Sequence, residues 1–277
     1  MKSGACKTWP LDYNRQVITS SKNPKIRALR ALQNQAKERK KAGSFVIEGV
    51  RLVEEALAAN WPVRSGIYSE ALSSRAEAVL DQLRQVGASL EAVSAEAMAV
   101  ASDTESPQGL LLEMESQDLA LTGEVDFVLI VDEVRDPGNL GNLLRSAAAA
   151  GVDAVLLSPG CADAFAPKVL RSGMGAHFQI AIRKMSWAEI DDFCREHRLE
   201  ILLAAAGEGE VYDQEDLSQA LAIILGGEAQ GAGEEARALA TKIAHIPMSG
   251  KIESLNAAAA GSLFLFEVLR QRRAKGK

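Results

Sequence analysis

Short apolar runs alternate with helical patterns through the second half of the chain, and this alternation limits the possible folds more than any other feature. Each run has four or five residues, and the runs lie at Phe127–Val131, Ala154–Leu157, Phe178–Ile182, Glu200–Ala204, Ala222–Leu225 and Lys242–Ile246. Runs of this length that are separated by helices are typical of buried parallel strands in a βαβ array. The pattern therefore predicts an α/β fold with a parallel sheet.

The first part of the chain has a separate organisation. The spacing of its apolar residues predicts one helix from Asn23-Pro24 to about Lys41, followed by shorter helices and strands. Thr122-Gly123, with a polar stretch ahead of it, is the best linker candidate. A length of 277 residues fits one large domain or two ordinary ones. We therefore expect a small α/β domain over residues 1–121 and the parallel-sheet domain over residues 122–277.

Positive charge is concentrated at the start of an acidic chain. The whole sequence has 31 Lys and Arg against 37 Asp and Glu, a net charge of −6. Residues 1–41 carry 11 basic and two acidic side chains, so their local charge is +9. A local basic patch can bind a polyanion whatever the net charge is, and its densest part here is Lys37, Arg39, Lys40 and Lys41. The alternative is that these residues only form the solvated face of a helix.

Composition argues against several classes of protein. No run of eighteen apolar residues is present, so we expect no membrane-spanning helix, and we see no apolar segment typical of a secretory signal peptide. The three cysteines are widely spaced and odd in number, which predicts neither a disulfide framework nor a zinc site and favours a reducing cytoplasm. The three histidines have no ligand spacing, so we expect no metal.

The loop after the first of the parallel strands is rich in polar residues. In open α/β sheets, ligands bind beyond the carboxyl ends of the strands. Asn139 in this loop is a good N-cap for a helix that ends near Gly151, and Arg145 lies within that helix. The simpler explanation is a helix cap and a surface arginine. No GxGxxG pattern is present, so a dinucleotide fingerprint is absent.

Two later loops also follow predicted strands. In one of them, Glu228 stands between Gly226 and Gly231, where its charge would repel a phosphate and suits a cationic or hydroxyl-bearing ligand. A tight turn with an exposed carboxylate explains this loop equally well. In the other, Ser254 or Asn256 is placed to cap a final helix that is apolar nearly all round and must be buried in the core or against a partner.

Together the three loops carry a more specific signal than any of them alone. The first reads Asn139-x-Gly141-x-x-x-Arg145-x-Ala147, the second Gly226-x-Glu228-x-x-Gly231, and the third Ile246-Pro247-Met248 followed by Ser254-Leu255-Asn256. In this order they resemble the three motifs of the SpoU (TrmH) family of RNA ribose 2′-O-methyltransferases. This resemblance covers roughly residues 125–273. The first part of the chain resembles the family's N-terminal substrate-binding domain, a small ribosomal-protein-like α/β fold, at Ile18-Thr19-Ser20, Asn23, Arg39, Phe45–Gly49 and Ser106–Gly109.

The resemblance implies a fold, a reaction and partners. The fold is a parallel-sheet α/β domain tied in a trefoil knot, and the domain works as a homodimer. The reaction is methyl transfer from S-adenosylmethionine to a ribose 2′-hydroxyl of RNA, with ribosomal RNA favoured over transfer RNA by the N-terminal domain. The alternatives are a non-enzymatic RNA-binding protein on the same scaffold and an α/β protein that acts on a small molecule. The intact motif residues argue against the first, and the basic N-terminal helix argues against the second.

The resemblance also assigns individual residues. The catalytic positions are Asn139, Arg145, Glu228, Ser254 and Asn256, and the methyl donor is held at Gly226, Ile246, Met248 and Leu255. The basic patch gives four expected RNA contacts, Lys37, Arg39, Lys40 and Lys41. A further stretch that resembles the family adds Arg171. The family assignment makes Arg145 the general base. Because a guanidinium is effectively always protonated, we also consider that Arg145 holds the 2′-oxygen or a neighbouring phosphate and stabilises the developing alkoxide.

Overall fold

The protein consists of two α/β units, one in each half of the chain. The structure, a computed structural model, describes residues 17–227, 231–250 and 254–276. In the first half the elements follow in the order α1 (Pro24–Asn34), α2 (Ala36–Ala42), β1 (Ser44–Glu48), α3 (Val50–Ala58), β2 (Val63–Ser69), α4 (Ser74–Gln85), β3 (Leu90–Val93), α5 (Ala95–Ala101) and β4 (Leu110–Glu115). The second half continues with β5 (Phe127–Val131), α6 (Pro137–Ala150), β6 (Ala154–Leu157), α7 (Pro167–Gly173), β7 (Ala181–Lys184), α8 (Trp187–Glu196), β8 (Glu200–Ala204), β9 (Glu210–Val211), β10 (Leu221–Leu225), α9 (Glu234–Leu239), β11 (Lys242–His245) and α10 (Ala257–Ala274).

Each unit is built on its own sheet. The first sheet has the order β1-β4-β2-β3 and is mixed, because β4 runs antiparallel to both of its neighbours. The second sheet has the order β7-β6-β5-β10-β8-β11-β9, and every strand pair in it is parallel. The predicted α/β fold with a parallel sheet is confirmed. Because β5, β10, β8 and β11 are parallel neighbours in this sheet, the loops that follow them lie at one edge, at the carboxyl ends of the strands.

Helices cover both faces of the parallel sheet. On one face, α6 and α10 pack against alternate strand residues in a cluster that includes Leu129, Ile223 and Phe264. On the other face, Ile190 of α8 and Ala236 of α9 join the remaining strand residues. This two-sided cover explains why the strands are apolar throughout and do not alternate with polar residues. Among the described helices, none combines the length and the apolar character needed to cross a bilayer.

The strand predicted at Phe178–Ile182 begins later in the structure, at Ala181. The preceding residues Ala176–Phe178 form a 3₁₀ turn, which follows Gly175 at φ 93°. Phe178 is apolar because it is buried against the first half of the chain, where its ring centroid lies 5.1 Å from that of Trp61. An apolar run cannot distinguish burial in a sheet from burial between two units, so this part of the prediction is wrong.

The single helix predicted as far as Lys41 is two helices. Gln35 adopts an extended conformation between them, with φ −130° and ψ 113°. The last turn of α1 contacts Arg39 of α2. The guanidinium of this arginine donates hydrogen bonds to the carbonyl oxygens of Leu32 and Gln33. These bonds satisfy carbonyl groups that have no partner within the helix.

Candidate active site

Helix α6 begins directly after β5 and carries the first motif. Its N-cap is Asp136, whose Oδ1 accepts a hydrogen bond from the backbone N–H of Asn139 at 2.8 Å. This bond lowers the pKa of the Asp136 carboxyl below its usual value. The prediction that Asn139 caps the helix is therefore wrong. Pro137 takes the first helical position, and Asn139 lies within the first turn with its side chain available for another contact. The predicted end of the helix at Gly151 is confirmed.

Helix α10 begins at the third motif and meets α6 there. Asn256 is its N-cap, as the sequence allowed, and its Oδ1 accepts hydrogen bonds from the N–H groups of Ala258 and Ala259 at 2.9 and 3.3 Å. The Nδ2 of Asn256 donates to Oδ1 of Asn139 at 3.0 Å. One side chain therefore caps α10 and joins it to α6. The structure brings these two predicted catalytic residues into direct contact.

Arg145 lies two turns further along α6. Its side chain is exposed and makes no hydrogen bond or ion pair with the part of the chain that the structure describes. It lines a shallow surface depression together with Asn142, Ser146, Asn256 and Phe266. Arg145 therefore lies on the side of α6 that faces the N-terminal end of α10. An unpaired guanidinium in this position is free to bind an anion or a developing negative charge.

A cavity of about 300 Å³ opens at the carboxyl ends of β8, β10 and β11. It brings together the four predicted donor-binding residues, because its lining includes Gly226, Ile246, Met248 and Leu255. Ser254, predicted as catalytic, also lies in the wall. The rest of the lining is mostly apolar and comes from Ala204, Ala205, Leu225, Ala257, Ala260 and Phe264. Apolar walls with few polar groups are typical of sites for small organic ligands.

Two charged residues at this cavity are not among the residues predicted from the sequence. Glu208 lies in the loop after β8, and Arg237 lies on α9. They form a paired contact across the cavity wall, with Nη1 and Nη2 of Arg237 at 2.9 and 3.0 Å from the carboxylate oxygens of Glu208. The arginine lowers the pKa of Glu208. Gly207 and Gly209 flank Glu208, and both have positive φ. Glycines shortly after a strand also drew attention to the loop at Gly226, so the same pattern could have identified this loop from the sequence.

The loop after β10 turns back on itself beside β5. A Cβ on Gly226 would lie 2.4 Å from the backbone nitrogen of Ala232, so a larger residue cannot replace glycine without displacing the backbone. The end of the loop is held by Asp132, a buried residue whose Oδ2 accepts a hydrogen bond from the N–H of Gly233 at 2.8 Å. Glu228 lies outside the described residues, so its catalytic assignment stays a prediction.

The predicted RNA contacts on α2 differ in their surroundings. Lys37, Lys40 and Lys41 are exposed. Arg39 is buried, and its guanidinium donates to the carboxylate of Asp163 in the second half of the chain. Arg39 therefore does not belong to an exposed RNA-binding face, because its charge is directed into the protein and is already paired. The sequence shows four basic residues in five positions but does not show which of them the second half covers.

Arg171 on α7 is also paired. Its Nη1 donates to Oδ2 of Asp103 at 2.8 Å, and its side chain is 37% exposed. This contact links α7 to the loop before β4. The RNA contact assigned to Arg171 stays a prediction.

The arrangement defines a class of protein: an α/β domain with a cavity at its strand ends. A separate depression at the start of α10 holds Asn256, which is bonded to Asn139, and the unpaired Arg145. The chain belongs to the SpoU rRNA Methylase family, whose sequence model matches residues 126–266. The model of the MRM3-like substrate binding domain matches residues 23–112. These matches coincide with the two α/β units.

Relatives extend the similarity over almost the full chain. A 23S rRNA (guanosine(2553)-2′-O)-methyltransferase of Bacillus subtilis is 36% identical, with 91% of this chain and 98% of the relative covered. A 23S rRNA (uridine(2479)-2′-O)-methyltransferase of Streptomyces viridochromogenes is 31% identical, with 91% and 92% covered. The crystal structure of the SpoU methyltransferase AviRb from Streptomyces viridochromogenes, in complex with the cofactor AdoMet, matches with a TM-score of 0.82 at 27% identity and covers 91% of this chain and 100% of that one. The fold is the trefoil-knotted α/β fold of the SpoU methyltransferases.

Proposed function

We propose that this protein transfers the methyl group of S-adenosylmethionine to a ribose 2′-hydroxyl of ribosomal RNA. The observation that carries the proposal is the hydrogen bond between Asn139 and Asn256, which joins the first and third motifs beside the cavity. The curated relatives described above are named as enzymes of this reaction on 23S ribosomal RNA. Family membership and site geometry therefore support one chemistry.

The cavity suits S-adenosylmethionine in size and character. Its volume of about 300 Å³ falls at the lower end of the range for ligand sites, roughly 300–1,000 Å³. Leu225, Ile246 and Phe264 offer apolar walls for an adenine ring, and Glu208 places a carboxylate where a hydroxyl or an ammonium group can bind. Bound there, S-adenosylmethionine would supply an electrophilic methyl group on its sulfonium.

The residues of this chain would position the acceptor and stabilise its charge. As the ribose 2′-oxygen loses its proton, it becomes an alkoxide, and the unpaired guanidinium of Arg145 can hold that oxygen or an adjacent phosphate. The hydrogen bond between Asn139 and Asn256 fixes the position of α6 relative to α10, so the distance between the donor cavity and Arg145 is fixed as well. A fixed geometry of this kind accounts for much of the rate of an in-line transfer. The same arrangement leaves a direct proton-accepting role for Arg145 as a competing hypothesis.

The first half of the chain would dock the RNA. Lys37, Lys40 and Lys41 present exposed positive charge on one short helix, which can pair with phosphates without reading the sequence. The match to the MRM3-like substrate binding domain covers this helix. We place the domain boundary near residue 121, within the segment that joins β4 to β5.

We also propose that the protein is a homodimer through α10. Leu263 and Phe266 on this helix are 42% and 46% exposed, which is unusual for large apolar side chains in the middle of a helix. Phe266 borders the depression that contains Arg145, so a second copy seated on α10 would complete the walls around that residue. A cytoplasmic location fits Cys161 and Cys194, which are both free thiols.

The test is methylation by the purified protein. The protein is incubated with S-adenosylmethionine labelled on its methyl group and with ribosomal or transfer RNA, each lacking the modification. We expect label in ribosomal RNA, recovered in alkali-resistant dinucleotides because a 2′-O-methyl group blocks alkaline cleavage. Label only in transfer RNA would contradict the substrate, and label on a base would contradict the reaction. Donor binding without transfer to any RNA would favour the non-enzymatic binding protein.

A further inference from the structure

The two halves of the chain meet along α7. Leu170 of α7 and Phe178 just after it are buried in the hydrophobic cluster of the first half. The ring centroid of Phe178 lies 5.1 Å from that of Trp61, and the ring centroid of Phe165 lies 4.8 Å from that of Phe45 in β1. Helix α7 is therefore packed as part of both units, and a relative movement of the units would have to break these contacts.

Arg39 adds an ionic contact at the start of α7. Its side chain is only 8% exposed, and its Nε donates to Oδ2 of Asp163 at 2.9 Å. Its Nη1 donates to the carbonyl oxygen of Gln33 at 2.9 Å and to that of Leu32. One guanidinium therefore joins the end of α1, the helix α2 and the segment that leads into α7. The planar fork of arginine suits such a site, and lysine cannot reproduce it.

A second ionic contact lies near the end of α7. Arg171 donates to Asp103, as described above, and the loop that holds Asp103 is itself fixed by Glu48 of β1. The carboxylate of Glu48 accepts hydrogen bonds from the N–H of Asp103 at 3.3 Å and from the hydroxyl of Thr104 at 2.7 Å. Both ends of α7 are therefore tied to the first half of the chain.

Helix α7 also packs closely against α6, the helix that carries Arg145. At Gly141 of α6, a Cβ would lie 1.9 Å from Oγ of Ser172 in α7. Near the start of both helices, Nζ of Lys168 lies 3.4 Å from the carboxylate of Asp136. With no space between the two helices, the position of α7 determines the position of α6.

We propose that Arg39 and Asp163 form a positioning pair, which holds the exposed lysines of α2 at a fixed distance and angle from Arg145 through α7. This inference rests on the proposed function, because it requires RNA to be bound by α2 while its ribose reacts at α6. Arg39 acts through Asp163 and touches no RNA. Its role is to make binding at α2 place the reacting ribose correctly, which raises the rate of transfer rather than the affinity for RNA.

The test compares Arg39→Gln and Asp163→Asn with Lys40→Gln, which removes an exposed positive charge one position away from Arg39. Two quantities are measured: the transfer rate at saturating RNA, counted per S-adenosylmethionine-binding site so that misfolded protein is excluded, and the dependence of RNA affinity on salt. For Arg39→Gln and Asp163→Asn we expect the rate to fall about tenfold or more, while the donor affinity and the salt slope stay at their wild-type values. For Lys40→Gln we expect a lower RNA affinity and a salt slope reduced by roughly 0.7–0.9.

Two results would overturn the positioning pair. One is a wild-type transfer rate in Asp163→Asn, a variant that keeps an oxygen for the N–H of Phe165 but loses the charge. The other is a salt slope in Arg39→Gln that falls as far as in Lys40→Gln, which would mean that Arg39 contacts phosphate. If Arg39→Gln does not fold, the transfer rate of Asp163→Asn alone still tests the pair. Arg195→Gln, which removes a surface arginine on α8, is the neutral control.

A separate readout keeps this inference distinct from the proposed function. If the wild type binds S-adenosylmethionine but methylates no RNA, the proposed function fails, and amide hydrogen exchange without RNA then decides whether the pair of Arg39 and Asp163 holds α7 in place. Faster exchange in residues 163–173 of Asp163→Asn supports the pair. Unchanged exchange there overturns it.

Discussion

Arg145 is the residue on which the proposed chemistry depends most. It is exposed and unpaired within the described chain, and it lies beside the cap of α10. We expect Arg145→Ala to abolish methyl transfer while the affinity for S-adenosylmethionine stays within about twofold, since the interaction forms mainly in the transition state. Transfer is measured with labelled donor, and donor affinity is measured by calorimetry. Near-normal turnover in Arg145→Ala would show that the active site is assigned wrongly.

Arg145→Lys separates the two roles considered for this residue. Lysine keeps the charge but loses the planar fork, and it releases a proton far more readily than arginine. If Arg145 accepts the proton, activity in Arg145→Lys should return as the pH rises. If Arg145 holds the oxygen by oriented hydrogen bonds, activity should be lost at every pH. The pH profile of turnover checks this, with Arg195→Lys on α8 as the matched surface control.

His177 is buried where the two halves of the chain meet, and it makes the free energy of unfolding depend on pH. Burial lowers its pKa from 6.5 to about 4, although the hydrogen bond with Ala164 and the charge of Asp163 oppose the shift. The unfolded chain therefore binds a proton more readily than the folded chain between these values. The contribution of neutral His177 to stability is fully present above pH 6.5 and is lost as the pH falls toward 4.

We expect this loss to be about 2 kcal/mol between pH 7 and pH 5. Urea unfolding at the two pH values measures it, and His177→Gln should lose correspondingly less over the same interval because it has no proton to gain. His197→Gln, at the end of α8, serves as the control and should behave as the wild type does. An equal pH dependence in the wild type and in His177→Gln would contradict the buried neutral state.

At the scale of elements, the contact between α6 and α7 depends on one glycine. A Cβ on Gly141 would lie 1.9 Å from Oγ of Ser172 and 2.6 Å from the carbonyl oxygen of Val169, and the second atom belongs to the backbone. We expect Gly141→Ala to lower the free energy of unfolding by about 1–3 kcal/mol, although alanine is the better helix former. Urea unfolding measures this. Asn142→Ala, at the next and exposed position of α6, should change the free energy of unfolding by less than about 0.5 kcal/mol.

The helix starts show which local features a sequence specifies well. Asn256, one of the two caps that the sequence offered, begins α10 because its side-chain oxygen accepts hydrogen bonds from the free N–H groups of the first turn. Asn139 looked equally suitable, yet Asp136 caps α6 because Pro137 already begins the helix. Both asparagines belong to the candidate site, where a hydrogen bond joins them across 117 positions of the chain.

At the scale of the whole molecule, α10 is where we expect a second copy to bind. Replacing Leu263 and Phe266 together by Glu should convert a dimer into a monomer at micromolar concentration, because two charges would be buried in the interface. Sedimentation velocity measures the change. Val86→Glu, which alters an apolar residue that is 66% exposed in the first half of the chain, should leave the dimer intact. A wild type that sediments as a monomer would contradict the dimer itself.

The sequence by itself determined the fold class, the identity of the motif residues and the bounds of three of the seven parallel strands, with β10 and β11 predicted to within one residue. Phe127–Val131, Ala154–Leu157 and Glu200–Ala204 were predicted with the limits that the structure shows, because a strand covered on both faces must be apolar at every position. The cavity proposed for the donor is lined by the predicted Gly226, Ile246, Met248 and Leu255. The first three follow closely after strands β10 and β11, at the sheet edge where this kind of fold binds ligands, and Leu255 lies just before α10.

Only the tertiary structure decided what covers each residue. Arg39 lies among basic neighbours in the sequence, but its partner Asp163 is 124 positions away, and burial by that segment changes its role. Phe178 is apolar because it faces Trp61 in the other half of the chain, and Glu208 and Arg237 meet only when the loop after β8 and α9 converge. Periodicity and motif spacing report local conformation. Exposure and charge pairing depend on contacts between distant segments, and these exist only in the folded chain.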